Sequence, residues 1–157
     1  GASLAAFRDI AGEASKDVLY ATNICALSGP IGTEFSERYL AKFGDKASPN
    51  GGAQTYEALH LYAQAAAMAG GAGAPYEEDQ NRAIAARLKE AIFRGPTGAI
   101  RFNPESQQGL SYPVETNDPS LGMAHIFSQI ERPEENGKII SPAPYDVAEF
   151  RKPHWMS

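Results

Sequence analysis

The sequence predicts a mixed α/β fold built from layers of helix and strand. Apolar residues recur at helical spacing through much of the first 94 residues, strand-like alternation fills the last 60, and a run of β-formers stands near the beginning. A helical bundle would have no place for that early run. At 157 residues and 16.8 kDa the chain is of ordinary size for one domain, and its 43% hydrophobic and 21% charged residues are those of a globular protein.

Leu4, Phe7, Ile10 and Ala11 share one helical face and predict a helix over 3–14, followed by a strand over 17–22, Asp-Val-Leu-Tyr-Ala-Thr. Gly29, Pro30 and Gly32 then punctuate a loop. Thr33 can cap the next helix, Glu34 and Glu37 suit its positive end, and Phe35, Tyr39, Leu40 and Phe43 mark its buried stripe up to Gly44. The polar stretch 45–53 reads as a connection. Tyr56, Leu59, His60, Ala63, Ala66 and Ala67 describe a further helix, with a small-residue side that lets another element approach closely. Gly70, Gly71 and Gly73 stop it. Glu77, Glu78 and Asp79 open another, with Ile84, Ala85, Leu88, Ala91 and Ile92 inward and Arg82, Arg87, Lys89 and Glu90 wet. A Gly-Pro-Thr-Gly turn at 95–98 enters a strand with Ile100 and Phe102 on one face. Residues 103–121 read as irregular and 122–130 as strand-like. Asn136-Gly137 signals a hairpin returning through 138–140, and Pro142, Pro144 and Pro153 keep the tail extended.

Composition narrows the function. A net charge of −5 and a pI near 5.2 argue against nucleic acid or anionic lipid as a partner. No apolar run approaches the roughly 18 to 20 residues of a membrane span. The lone Cys25 can form no internal disulfide and leaves the compartment open. The absence of an initial Met and of a leader fits either a cytoplasmic chain or a processed piece. The glycine-rich segments lack the Lys-Ser/Thr pair and the spacing of a phosphate loop. Ser28 has no nucleophile elbow around it, and Cys25 with His60, His125 or His154 matches no nucleophile signature. Glu57 and His60 lie one turn apart, as metal ligands can, but a third ligand cannot be placed. No catalytic residue, metal site or cofactor is assigned.

From Tyr56 onward the sequence resembles a known family. The segment 54–70, Gln-Thr-Tyr-Glu-Ala-Leu-His-Leu-Tyr through to Ala-Gly, is followed by an acidic-start helix and by Phe93-Arg-Gly-Pro-Thr-Gly98 entering a strand. This order resembles the late region of type I periplasmic solute-binding proteins of branched-chain amino acid ABC transporters. Residues 17–22 and the spacing Phe35, Tyr39, Phe43-Gly44 resemble the strand and helix that precede it. Tyr112-Pro113-Val114, residues 118–125, Pro142 with Tyr145, and Pro153 with Trp155 are similar to one proteobacterial subgroup.

The resemblance covers nearly the whole chain but only the C-terminal part of the family's two-lobed architecture. It implies Rossmann-like αβα layers, with 1–22 and 97–157 in the second lobe, 27–94 in the first, and crossings of the hinge near 23–31 and near Gly95. It implies a non-enzymatic role in the periplasm, with an amino acid-like solute and a membrane permease as partners. For ligand contacts it implies Asp17, placed to receive a solute's ammonium, and residues 50–56, of which Asn50, Gly51, Gly52 and Tyr56 are the candidates. An incomplete first lobe would leave the stripe of Phe35, Tyr39 and Phe43 without partners, so homo-oligomers of the fragment are expected. The competing expectation is a stand-alone ligand-sensing or protein-interaction module; a small hydrolase using Ser28 or Cys25 with His125 is a third.

Overall fold

A computed structural model describes residues 1–22, 27 and 29–156. The expectations placed on Cys25, on Ser28 and on most of the first hinge crossing lie outside the described residues. The fold is the mixed arrangement of helices and sheets that the sequence predicts. Helix α1 (Ala5–Ala11) and a 3-10 turn (Gly12–Ser15) lead into β1 (Leu19–Thr22). Three helices follow, α2 (Pro30–Phe43), α3 (Pro49–Met68) and α4 (Glu78–Glu90). Then come β2 (Ile92–Gly95), β3 (Gly98–Arg101), β4 (Ser111–Tyr112), β5 (Met123–Ala124), β6 (Ile126–Gln129) and β7 (Lys138–Ser141).

The strands form two sheets, ordered β1-β6-β7 and β2-β3-β5-β4. In the first, Leu19 faces Gln129 and Thr22 faces Ile126 in antiparallel register, and Gln129 faces Lys138 across β6–β7. In the second, β2 and β3 close on a two-residue turn, Pro96-Thr97, with Gly95 opposite Gly98; β4 and β5 run parallel. The tail is pinned to the first sheet by the buried amide of Gln129. Its Nε2 donates to the Arg151 carbonyl at 2.7 Å, and its Oε1 accepts from the Arg151 N–H at 2.9 Å.

Helix α3 carries the main differences from expectation. It begins at Pro49, inside the stretch read as a connection, because Ser48 and Pro49 supply a cap and a first-turn proline and outweigh the two glycines. Ser48 Oγ accepts from the Gly51 N–H. Gly52 allows α2 to cross closely: a Cβ there would overlap the Tyr39 ring. The buried face is Ala53, Glu57, Leu61 and Ala65, joined by Ala66, whereas Tyr56 and Leu59 of the expected stripe are exposed. Ala65 and Ala66 pack on Ile84, with Ala69 and Leu88 against them. In α4, Ala85 is exposed, and Ile92 belongs to β2 and points to solvent.

The aromatic stripe of α2 continues beyond its helix. Phe43, Tyr39, Phe35, Tyr56, His60 and Phe93 form a ladder with successive ring centroids 4.2 to 6.3 Å apart. Phe43 and Tyr56 leave about half of their surface in solvent, so the stripe is only partly buried in this chain. Helix α1 is also rotated from its expected orientation. Ile10 is 87% exposed and Arg8 is buried. The Asn136-Gly137 pair closes an eight-residue connection between β6 and β7, residues 130–137, rather than a two-residue hairpin.

Candidate functional site

A cavity of about 560 Å³ lies between two walls. Residues from α1, the β1-β6-β7 sheet and the 134–137 connection form one wall; Ser36 and Leu40 of α2 and the segment 45–50 form the other. Leu27, Leu40, Ile126 and Ile139 supply apolar surface, and Tyr20, Thr22, Ser36, Ser128 and Asn50 supply polar groups. That mixture and size fall in the range of small-molecule sites, about 300 to 1,000 Å³.

Arg8 stands out on the first wall. It is 8% exposed, its Nη2 donates to Asn136 Oδ1 at 2.7 Å, and its Nη1 has no hydrogen-bond partner among the described residues. Gly137 beside it lies so close to the Tyr20 ring that a Cβ would come within 2.7 Å of it.

A second buried charge lies in the helical region. Glu57, 2% exposed, accepts from the Thr97 N–H at 2.7 Å and from Thr97 Oγ1 at 2.6 Å. Burial pushes its carboxyl above the ordinary 4.5, and the two Thr97 hydrogen bonds oppose that shift. Glu57 thereby fastens α3 to the β2–β3 turn. Gly95 must lack a side chain there, since a Cβ would sit 2.5 Å from Glu57 Oε1.

The fold has counterparts among solved structures. One from Silicibacter pomeroyi, described provisionally as a branched-chain amino acid ABC transporter, superposes with a TM-score of 0.89 at 54% identity, covering 99% of this chain and 39% of that one. This chain is related to part of that protein. The leucine-binding protein LivK of Thermotoga maritima matches with a TM-score of 0.60 at 20% identity, over 88% of this chain and 35% of that one, and shares the fold. The chain thus spans under two-fifths of the length of either. No family profile matches, and no match is found among curated proteins. The resemblance read from the sequence holds, and so does the α/β fold it implied.

The five candidate contacts separate in the structure. Asn50 lines the large cavity; Asp17, Gly51, Gly52 and Tyr56 are not among its lining residues. Asn50, Gly51 and Gly52 form the first turn of α3 rather than a loop. Tyr56 packs at tilted angles between Phe35 and His60 beside a groove of about 340 Å³ on the α2–α3 face. Asp17, at φ 64°, turns to the tail: its Oδ2 accepts from the His154 N–H at 3.2 Å and lies 2.8 Å from His154 Nδ1. The His154 hydrogen bond holds the Asp17 carboxyl below its ordinary 3.8.

Sequence reasoning missed Arg8, Asn136 and the role of Glu57. The only signal for Arg8 was its position one turn after Leu4 on a short helix, where a charge reads as solvated. Glu57 and His60, considered as a metal pair, part company, since Glu57 turns inward to Thr97 and His60 packs at a tilt against Tyr56. No cluster of three His, Cys, Asp or Glu suited to a metal occurs among the described residues. Among those residues no helix is long and apolar enough to cross a membrane.

Proposed function

We propose that this chain is the C-terminal part of a two-lobed periplasmic solute-binding protein. The protein captures an amino acid or a related small polar solute, delivers it to the membrane permease of an ABC transporter, and is not an enzyme. The observation that carries the reading is the 54% identity over 99% of the chain to the Silicibacter pomeroyi protein described as a branched-chain amino acid ABC transporter. In this reading residues 1–22 and 97–157 belong to the second lobe and 27–94 to the first, and the 560 Å³ cavity is part of the cleft between them. Asn50 then lies on the first-lobe wall and Arg8 on the second-lobe wall.

Helix α3 supports the assignment to a longer protein. One of its faces is covered by α4 and the β2–β3 turn, yet Tyr56, Leu59 and Tyr62 leave a second apolar face open. A helix that is apolar on opposite sides belongs between two layers. The rest of a first lobe would cover that face. Capture follows from hinge closure, in which two walls meet around a solute that bridges them.

Calorimetric titration of the longer protein that contains this chain, with the free amino acids and small carboxylates, tests the reading. Micromolar binding of at least one is expected, with much weaker binding by the isolated 157 residues, whose cleft lacks part of a wall. A longer protein that binds none of them overturns it.

A further inference from the structure

We propose that Asn136 is a deamidation site, where the Gly137 nitrogen attacks the side-chain amide and the Arg8 guanidinium stabilises the oxyanion that forms. Asn136 lines the 560 Å³ cavity, so the conversion exchanges a neutral amide for a carboxylate on its wall.

The chain has two Asn-Gly pairs, Asn50-Gly51 and Asn136-Gly137. In such a pair the glycine has no Cβ to hold its nitrogen away from the preceding side chain. Hydroxide takes the proton of the backbone N–H, and the nitrogen bonds to the asparagine Cγ. The C–N bond of the side-chain amide then breaks, and its nitrogen leaves as ammonia with a proton from water. Water opens the five-membered imide to a carboxylate, on an α- or a β-linked backbone. Overall the residue takes up water and gives up ammonia.

The fold treats the two pairs differently. Asn50 is in the first turn of α3, and a helix tilts each Cα–Cβ bond back towards its N-terminus, away from the next nitrogen. The Gly51 N–H there donates to Ser48 Oγ. Asn136 lies outside both β6 and β7, in the connection 130–137, and is exposed to the water and hydroxide that the reaction needs. A side chain at 137 would collide with the Tyr20 ring, so the packing keeps the reactive dipeptide in place.

Arg8 adds the catalytic element. Its Nη2 donates to Asn136 Oδ1 at 2.7 Å, the atom on which negative charge develops as Gly137 attacks. A fixed donor already in contact with a developing oxyanion lowers the barrier to acyl transfer. The guanidinium is buried and forms no ion pair among the described residues, so no other anion there neutralises its charge. After α-linked hydrolysis the new carboxylate takes the place of the amide against Arg8, and the neutral hydrogen bond becomes a charge pair.

The longer protein that contains this chain is incubated folded, and separately in guanidinium chloride, at the same mildly alkaline pH. Peptide mapping by mass spectrometry follows both Asn-Gly pairs. In the denatured chain the two should convert at similar rates, set by local sequence. In the folded protein Asn136 should convert at least about tenfold faster than Asn50, and faster than it does when denatured. Arg8→Gln should slow Asn136 in the folded protein by at least about tenfold and leave Asn50 slow. Asn50 also reports whether that variant is folded, because it accelerates when α3 melts. If the variant melts, the unaltered protein decides by its folded and denatured rates. Conversion of Asn136 no faster folded than denatured, or undiminished in folded Arg8→Gln, overturns the proposal.

Discussion

In the helical region the buried charge, Glu57, has both carboxylate oxygens supplied with donors by Thr97; in the β1-β6-β7 region the buried charge, Arg8, has one nitrogen held and another unpartnered among the described residues. Both are more than nine-tenths buried. The difference teaches what each is for. A satisfied buried ion fixes geometry, and its removal strands the groups around it; a half-satisfied one is a cost that the fold carries.

Truncating the satisfied charge is the strongest way to break this comparison. Glu57→Ala leaves the Thr97 N–H and hydroxyl buried without partners and opens a void between α3 and the β2–β3 turn, for an expected loss of about 2 to 4 kcal/mol in urea unfolding. Arg8→Gln in the unliganded protein should change stability by less than about 1 kcal/mol, or raise it, because an uncompensated charge is removed. Equal losses would erase the distinction.

Gly95 sharpens the same contrast at a smaller scale. Gly95→Ala would press a methyl group within 2.5 Å of Glu57 Oε1 and 2.6 Å of Phe93 Cε1, an overpacking expected to cost about 1 to 3 kcal/mol. Gly109→Ala is the control. Its Cβ would meet only Met123 Cε at 3.6 Å, an ordinary contact, and the melting temperature should barely move.

The third test uses pH. The folded state raises the Glu57 carboxyl above 4.5, so it holds that proton more tightly than the unfolded chain does. Stability from this group is therefore fully present below about pH 4.5 and is lost as pH rises through the raised value. Glu57→Gln keeps one acceptor and one donor for Thr97 and has no charge to desolvate. The stability of the unaltered protein relative to this variant should fall as pH rises above 4.5 and then level off, measured by denaturant unfolding at a series of pH values. A flat difference would mean that Thr97 alone offsets the burial.

The same contrast explains what was legible in the sequence. Periodicity located α2, α3 and α4, and Gly-Pro-Thr-Gly located the β2–β3 turn, because these signals are local. The inward face of α3 was misplaced because Glu57 occupies a core position, and a carboxylate there is intelligible only once Thr97, forty residues away, closes over it. The start of α3 was misread because Gly51 and Gly52 outweighed the Ser48-Pro49 cap. Arg8 was invisible for a similar reason, since its partner Asn136 stands 128 residues away. The family resemblance could be read because it rests on an order of local motifs. The cavity could not, because its lining is assembled from stretches far apart in the chain, from Ser3 to Ile139.

The smallest expected effect belongs to a carboxylate of the opposite kind to Glu57, one that lies at the surface and is stabilised as an anion. Asp17 pairs with His154, and that hydrogen bond holds its carboxyl below 3.8. Its contribution to stability is present above that ordinary value and is lost as pH falls through the lowered one, the reverse of the Glu57 slope. Asp17 also adopts φ 64°, a conformation that Asp and Asn tolerate and Ala does not, so Asp17→Ala would mix backbone strain with the lost pair. Asp17→Asn removes the charge and keeps both the backbone preference and an acceptor for the His154 N–H. A slight loss of melting temperature is expected at neutral pH, vanishing when the comparison is repeated well below pH 3.8. His154→Ala should lower stability by a similar small amount, and adding Asp17→Asn to it should cost little more, because the two changes remove the same interaction. A loss that persists unchanged in acid would show that Asp17 acts through its backbone conformation and not through the pair.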